Sequence, residues 1–208
     1  MKSTSTLLIL TVFTIATSTL HAQINKGSTA LGGNISFYSS TTEDNSVKYK
    51  STTFFISPSL TSFYKENRAM GFQLEYAHSH SDSNSTSNSY GAGVFLRQYK
   101  TLAKGFYIFA HEQLSYSYSK ANYLPYTNGK FIQNAAAIEV NPGLAYDLNK
   151  RIQFEVLFFN DLFSASYSNS KNISSIKTTK SSQFNIGANT GITNLTSLNI
   201  GAKIFFGR

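Results

Sequence analysis

The sequence predicts an all-β protein, an antiparallel up-and-down transmembrane β-barrel that is most simply built from eight strands. Beyond residue 22, apolar residues occupy every second position over long stretches, which is the period of strands with two unlike faces. Charged residues make up 13% of the chain, against about 25% in globular proteins. The mean hydropathy of -0.19 excludes a polytopic helical membrane protein, but a barrel with one apolar and one polar face averages to such a value.

The first 22 residues are predicted to be a cleaved secretory signal. Lys2 precedes an apolar core over 7–15, and Leu20 and Ala22 provide a cleavage site after Ala22. The alternative is a short membrane anchor, but the run falls short of the roughly 18 to 20 apolar residues that spanning requires. No break in composition divides the remainder, so we expect residues 23–208 to form one barrel domain with a net charge of about +7.

Four strands are predicted before residue 100. Their apolar faces, in chain order, are Leu31, Gly33, Ile35 and Phe37; Phe54, Ile56, Pro58 and Leu60; Met70, Phe72, Leu74 and Tyr76; and Tyr90, Ala92, Val94 and Leu96. Each face alternates with polar or small residues, as expected where one side of a strand meets lipid and the other meets the lumen.

Four more strands follow at 106–118, 138–148, 152–167 and 184–206. Glu112 interrupts the apolar face of the first of these. In the third, the apolar phase slips near Asn160, and a β-bulge explains the slip. The fourth is long for the nine to eleven residues needed to span, so an alternative with ten strands, broken at 160–161 and again near 193–194, stays open.

The connections alternate in length. Short charged turns are predicted at 64–68, 100–104 and 149–150, and long polar loops at 39–50, 79–88, 120–132 and 168–180. Short periplasmic turns opposite long extracellular loops are typical of an outer-membrane barrel, with both termini on the side of the turns when the strand count is even. A soluble β-sandwich also alternates, but it seldom sorts its loops by length.

The face opposite the apolar one should point into the lumen, and it carries both acids and bases. The lumen of an eight-stranded barrel is only wide enough to be filled by side chains. We therefore expect an ion-pair core in which three carboxylates compensate two cations. Its members are Glu75, Glu139 and Glu155 with Arg97 and Lys203. A narrow pore or proton path is the alternative. Tyrosines near strand ends, such as Tyr90, Tyr116, Tyr118, Tyr146 and Tyr167, suit the membrane interface, whereas Tyr99 suits the interior.

Gly201, Ile204 and Phe206 carry the spacing glycine, two residues, apolar, one residue, aromatic. This resembles the terminal-strand signal that the barrel assembly machinery recognises, although Gly207 and Arg208 follow the aromatic residue. With the alternating strands, it makes residues 28–206 similar to the outer membrane protein β-barrel domain family, and to small OmpX-type barrels. The resemblance implies residence in the outer membrane of a Gram-negative cell and carries no catalytic motif.

Catalytic chemistry finds little support. The chain has no cysteine, which excludes disulfides, thiolate nucleophiles and acylated lipoproteins. No phosphate-binding loop or nucleophile elbow is present, so we expect no enzyme activity, cofactor or metal. His78, His80 and Asp82 share one strand face and could form an acid-base pair or a loose metal site in a lipid-modifying enzyme. A hydrophilic loop of low complexity explains the same residues more simply.

The predicted outer loops are basic, with few acids to balance them. Their lysines are Lys48, Lys50, Lys120, Lys130, Lys171, Lys177 and Lys180. We expect membrane lipid, and lipopolysaccharide phosphates in particular, to be the nearest anions. Nucleic acid is a poor partner because the basic residues are not interleaved with aromatics on one surface, and a monomer is expected. Three function classes remain, in this order: a structural or adhesive barrel, a small pore and a lipid-modifying enzyme.

Overall fold

The computed structural model describes residues 24–44, 47–82, 85–123, 129–158, 162–174, 177–188 and 198–207. These ranges contain ten antiparallel strands. They are β1 (Thr29–Asp44), β2 (Val47–Lys65), β3 (Arg68–Ser81), β4 (Ser85–Ala103), β5 (Phe106–Tyr123), β6 (Gly129–Asp147), β7 (Ile152–Phe158), β8 (Phe163–Ile173), β9 (Thr178–Gly187) and β10 (Leu198–Phe206). Over the same ranges, no helix is long and apolar enough to cross a membrane. The predicted signal at 1–22 lies outside the described residues.

Eight of the strands close into a ring. Neighbours in sequence pair from β1 through β7, and β10 joins β7 on one side and β1 on the other. The last pairing sets Thr29 opposite Phe206 and Ile35 opposite Ile200, so both ends of the described chain meet at one end of the barrel. The predicted up-and-down barrel with an eight-stranded ring is confirmed.

The remaining two strands extend the barrel wall away from the termini. β7 and β8 both pair with β6, one beyond the other, and β9 pairs with β8. Two of the eight predicted strands are therefore each divided in two. One gives β7 and β8, and the other gives β9 and β10. Within the described ranges, β9 has β8 as its only partner in the sheet.

The slip in apolar phase falls between β7 and β8. Gly143 of β6 pairs with Leu157, and Val140 pairs with Phe163, so the sequence has five residues between these two pairing positions where β6 has two. The three extra residues, an odd number, exchange the inward and outward faces. The slip predicted near Asn160 therefore corresponds to three extra residues, more than the one that a β-bulge usually adds, and Asn160 itself lies outside the described residues.

The prediction of four long polar loops was wrong. Most of each predicted loop is strand, because β1 runs to Asp44, β5 to Tyr123 and β8 to Ile173. Serine and threonine on both faces lower the hydropathy to that of a loop, yet they hold the hairpins together through cross-strand hydroxyl contacts. Thr53 and Ser79 approach to 2.8 Å, as do Ser89 and Ser119.

The outer face carries a broad apolar belt edged by aromatic residues. Leu60, Phe72, Val94 and Leu114 are each exposed by roughly half, and similar side chains occupy the outward positions of every strand in the ring. At the end near the termini, Phe106 packs on Tyr146. Towards the other end, which we call the distal end, Tyr76 packs on Tyr90, and the hydroxyl of Tyr116 donates to Asn134.

Aromatic side chains and Ile24 pack together inside the barrel at the end that carries the termini. Phe63, Tyr99, Tyr107 and Phe205 are buried there, and Ile24 is fully buried beside them. The segment before β1 is fixed by the turn between β2 and β3: the Ile24 amide donates to the side-chain oxygen of Asn67, and the Asn67 amide donates to the Ile24 carbonyl. Asn67 has a φ of 56°, a left-handed conformation that asparagine tolerates better than most residues.

Candidate functional site: the charged cluster in the lumen

Glu155 is the centre of a charged cluster across the middle of the lumen. Its carboxylate accepts from the Arg97 guanidinium at 2.5 Å and from the Lys203 ammonium at 2.7 Å. The Tyr99 hydroxyl donates to the same carboxylate at 3.0 Å. All three charged side chains are at most 3% exposed. One carboxylate therefore serves two cations, and the contacts reach from β7 to β4 and β10.

Aromatic rings hold the Arg97 guanidinium on two sides. Its central carbon lies 4.9 Å from the ring centroids of both Phe95 and Phe109. Each ring rests on a glycine of the adjoining strand, because a Cβ on Gly71 would meet Phe95 and a Cβ on Gly143 would meet Phe109. Cation–π contacts of a desolvated guanidinium are worth about 2 kcal/mol, so the rings offset part of the cost of burying this charge.

Lys203 reaches the cluster through a gap that glycine leaves. A Cβ on Gly32 would lie 2.5 Å from the Lys203 side-chain stem, so the close approach of β1 and β10 depends on glycine there. The ammonium then donates to the Tyr99 hydroxyl at 2.8 Å. Tyr99 thus accepts from Lys203 and donates to Glu155, which satisfies both functions of its buried hydroxyl.

A chain of polar side chains leads from the cluster towards the distal end. The Arg97 Nε donates to His111 Nδ1 at 2.8 Å, and His111 Nε2 lies 3.0 Å from the Gln113 oxygen. Since Nδ1 accepts, His111 is the neutral tautomer with its proton on Nε2. The Gln113 amide in turn donates to Glu75, which also accepts from Gln73 at 2.6 Å.

The predicted ion-pair core is thus brought together in part. Arg97, Glu155 and Lys203 are in direct contact, and Glu75 joins them through Gln113 and His111. Glu139 is half-buried on β6, opposite Gln113 in the β5–β6 pairing. A band of buried and half-buried polar side chains therefore crosses the lumen on the distal side of the aromatic layer.

The three residues of the predicted assembly signal lie on β10 and face different surroundings. Ile204 and Phe206 point outward and are about half exposed. Gly201 faces inward, where the side-chain oxygen of Asn34 occupies the space that a Cβ would need. The glycine thus has a packing reason of its own at the β1–β10 seam.

His78 and Asp82 make their hydrogen bonds to other residues, not to each other or to His80, in the part of the chain that the structure describes. His78 Nδ1 lies 2.9 Å from the side-chain oxygen of Asn88 on β4. Asp82 exchanges hydrogen bonds with the backbone of Lys50 on β2, so it ties a hairpin end to its neighbour. His80 is exposed between them. Among the described residues, no three histidine, aspartate or glutamate side chains converge as a metal site.

The lysines assigned to outer loops lie mostly on strands. Lys120, Lys130, Lys171 and Lys180 occupy the outward-facing register of β5, β6, β8 and β9, distal to the tyrosines. Lys50 is exposed on β2, and Lys177 is exposed between β8 and β9. The side chain of Lys48 lies outside the described residues.

The aromatic members of the cluster, Phe95 and Phe109, were not predicted from the sequence. Phe95 and Phe109 occupy inward positions of strands whose apolar faces point outward. An aromatic residue at an inward position was the sequence feature that could have identified them. Their glycine partners Gly71 and Gly143 carry no signal of their own, because only the cross-strand register brings ring and glycine together.

Comparison with known proteins adds a likeness of fold. No protein-family model matches the chain, and no curated protein does. The structure is similar to a major outer membrane protein from Thermus thermophilus, with a TM-score of 0.50 and 8% identity, covering 89% of this chain and 100% of that chain. It is also similar to Neisserial surface protein A, with a TM-score of 0.46 and 10% identity, covering 89% of this chain and 100% of that chain. A further similar structure is the translocator domain of the autotransporter NalP from Neisseria meningitidis, with a TM-score of 0.42 and 7% identity, covering 97% of this chain and 94% of that chain. At 8% identity the first likeness concerns the fold alone, and the lower TM-scores add nothing to it.

Proposed function

We propose that this chain is an integral outer-membrane barrel with a plugged lumen, which serves as a structural or surface-contact protein of a Gram-negative cell. The observation that carries the proposal is the combination of an apolar exterior with a charged, buried interior. That arrangement is the reverse of a soluble protein's. Monomeric soluble proteins rarely expose a contiguous apolar patch beyond a few hundred Å², whereas here every strand of the ring contributes to one belt.

The height of the belt agrees with a bilayer. On β5 its outward face runs from Phe106 to Tyr116. Ten steps at about 3.4 Å, on a strand tilted by about 40°, span about 26 Å along the barrel axis. The apolar band of outer-membrane barrels is about 25 Å tall. The similar Thermus protein is named as an outer membrane protein, and the proposed signal at 1–22 would deliver this chain to the same compartment.

The cluster around Glu155 supports the proposed plug in the lumen. Arg97, Lys203 and Glu155 are joined across the lumen, and the aromatic layer with Ile24 lies between them and the end of the barrel that carries the termini. An ion crossing the barrel would have to displace both layers. We therefore expect no steady conductance, in contrast to a porin-like channel.

Two measurements test this proposal together. Purified protein refolded in vesicles should migrate as a compact band on gels until it is boiled, as membrane barrels do. In planar bilayers it should give no steady single-channel current. Loss of the compact band would contradict membrane residence. Steady current from compact protein would contradict only the plug and favour the small pore.

A basic surface just distal to the tyrosines supports lipid contact. Lys171 and Lys180 are direct cross-strand partners, on the same face as Tyr167 and four or more residues beyond it. Like charges directly opposite each other destabilise a sheet unless an anion lies between them. At this height the nearest anions are lipid phosphates, and we propose that these lysines, with Lys120 and Lys130, contact lipopolysaccharide.

The lipid contact is tested by charge removal. The K171Q/K180Q variant should retain less lipopolysaccharide than the wild type in a pull-down at low salt, and the difference should shrink as salt is raised, because surface charges are screened. The control is K65Q, which alters an exposed lysine at the opposite end of the barrel. Equal retention by all three proteins would rule the contact out.

We further propose that the barrel has no catalytic activity of its own and that the machinery for barrel assembly recognises Gly201, Ile204 and Phe206. For the first point, the contacts of His78 with Asn88 and of Asp82 with the Lys50 backbone already account for the residues that a lipid-modifying enzyme would use. Lipid hydrolysis that disappears in His80→Ala would overturn it. For the second, Phe206→Ala should reduce the amount of barrel in the membrane without altering refolding in detergent.

A further inference from the structure

Glu112 is a carboxylic acid on the outer, otherwise apolar face of the barrel. It occupies an outward position of β5, between Leu96 of β4 and Val140 of β6. It lies six residues from Phe106 and four from Tyr116, so it is about 10 Å inside the distal edge of the apolar belt. Ionisable groups facing hydrocarbon are costly and rare, and they mark functional contacts by default.

Within the described part of the chain, Glu112 has a single partner. The Gln98 amide donates one N–H to Glu112 Oε1 at 3.1 Å. The second oxygen of Glu112 and the second N–H of Gln98 have no partner among the described residues. The pair therefore leaves a Glu112 oxygen and a Gln98 N–H side by side, both facing outward into the belt, and the Gln98 side-chain oxygen likewise has no partner among the described residues.

We infer that this face binds a second copy of the same chain within the membrane. A two-fold interface places residue i against j and j against i, so the free oxygen of each Glu112 would accept from the free N–H of the other copy's Gln98. The set is complementary to itself and to nothing in a lipid tail. The inference rests on the proposed membrane residence, and it replaces the monomer expected from the sequence.

The surroundings of the pair allow two barrels to approach closely. Ala110 stands opposite Gln98 on β5, and Pro142 stands opposite Ala110 on β6. Ala110 is a small residue beside Gln98, and small residues at an interface favour close packing between membrane-spanning segments. Under two-fold symmetry, the two copies of Ala110 would flank the axis.

Cysteine cross-linking tests the inference because the chain has no cysteine of its own. Ala110→Cys in vesicles of phosphatidylcholine and phosphatidylglycerol should give a disulfide-linked dimer on mild oxidation. Ile200→Cys is the matched control, since Ile200 is equally outward-facing on the other side of the ring and should stay monomeric. Equal cross-linking of the two variants, or none of Ala110→Cys, would overturn the inference.

The polar pair itself is tested in the Ala110→Cys background. Adding Glu112→Leu should lower the dimer fraction roughly tenfold at a fixed protein-to-lipid ratio, as expected for the loss of two hydrogen bonds in a membrane. Adding Glu112→Gln, which keeps an acceptor, should preserve it. An unchanged dimer fraction in Glu112→Leu overturns the inference. Gel mobility before boiling is also measured for each sample. Compact protein that forms no dimer would contradict this inference alone. Failure of every variant to form a compact barrel would contradict the proposed membrane residence as well.

Discussion

Removal of the charge on Glu155 should destabilise the barrel severely. The Glu155→Gln substitution keeps the size of the side chain and its contact with Tyr99, but it leaves Arg97 and Lys203 as buried cations without a carboxylate between them. Breaking a buried ion pair by removing one partner costs about 3–5 kcal/mol. Because one carboxylate here serves two cations, we expect a loss near the upper end of that range, about 5 kcal/mol in the free energy of unfolding.

Urea titration in lipid vesicles measures this loss. The folded fraction is read from gel mobility before boiling, since the chain has no tryptophan to report on folding. Glu66→Gln is the matched control, because Glu66 is an exposed carboxylate in the turn between β2 and β3. Such a surface substitution should change the stability by no more than about 0.5 kcal/mol.

A double variant separates the loss of charge balance from general damage. Lys203→Met keeps the apolar stem that packs on Gly32 and removes the second cation. Introduced together with Glu155→Gln, it should recover at least about 1 kcal/mol, because neighbouring charges couple by such amounts. If Glu155→Gln alone costs less than about 1 kcal/mol, or if the double variant recovers nothing, the structural role that we assign to the cluster is refuted.

Two further substitutions test the packing around the cluster, with the same titration as the measurement. Gly143→Ala should cost about 1–3 kcal/mol because its methyl group would collide with the Phe109 ring, whereas Gly187→Ala, whose nearest neighbour is an ordinary 3.5 Å contact, should not; equal effects would contradict the reasoning. Ile24→Ala should cost about 2–4 kcal/mol by leaving a cavity in the aromatic layer. A loss below about 0.5 kcal/mol would show that the segment before β1 does not close the barrel.

The strands of the barrel were predictable because the outer face and the lumen of a barrel impose opposite chemistry on alternate residues. Leu31 to Phe37 and Met70 to Tyr76 follow that rule without exception, and the paired strands keep the predicted phase. The distal halves were not predictable in this way. Beyond the apolar belt, both faces of a strand carry polar residues, so segments such as 79–88 lose the alternation and resemble loops.

The inward side of Arg97 and Glu155 was predictable from the same alternation, but their contact was not. Which inward residues meet depends on the stagger between strands, and the period of a single strand carries no information on stagger. Glu155 meets Arg97 on a strand three places round the ring, whereas Glu139, equally inward by phase, stands opposite Gln113.

The contact between Arg97 and Glu155 joins residues 58 positions apart in the chain, on opposite walls of the lumen. A flat sheet would hold these charges about 14 Å apart, because β4 and β7 are separated by three strand spacings. The cluster can therefore form only once the sheet has curved enough to bring β4 and β7 together, and we expect it to form late in folding. Interactions absent from the transition state slow unfolding and leave folding almost unchanged. We therefore expect the charged cluster in the lumen to slow the unfolding of the closed barrel.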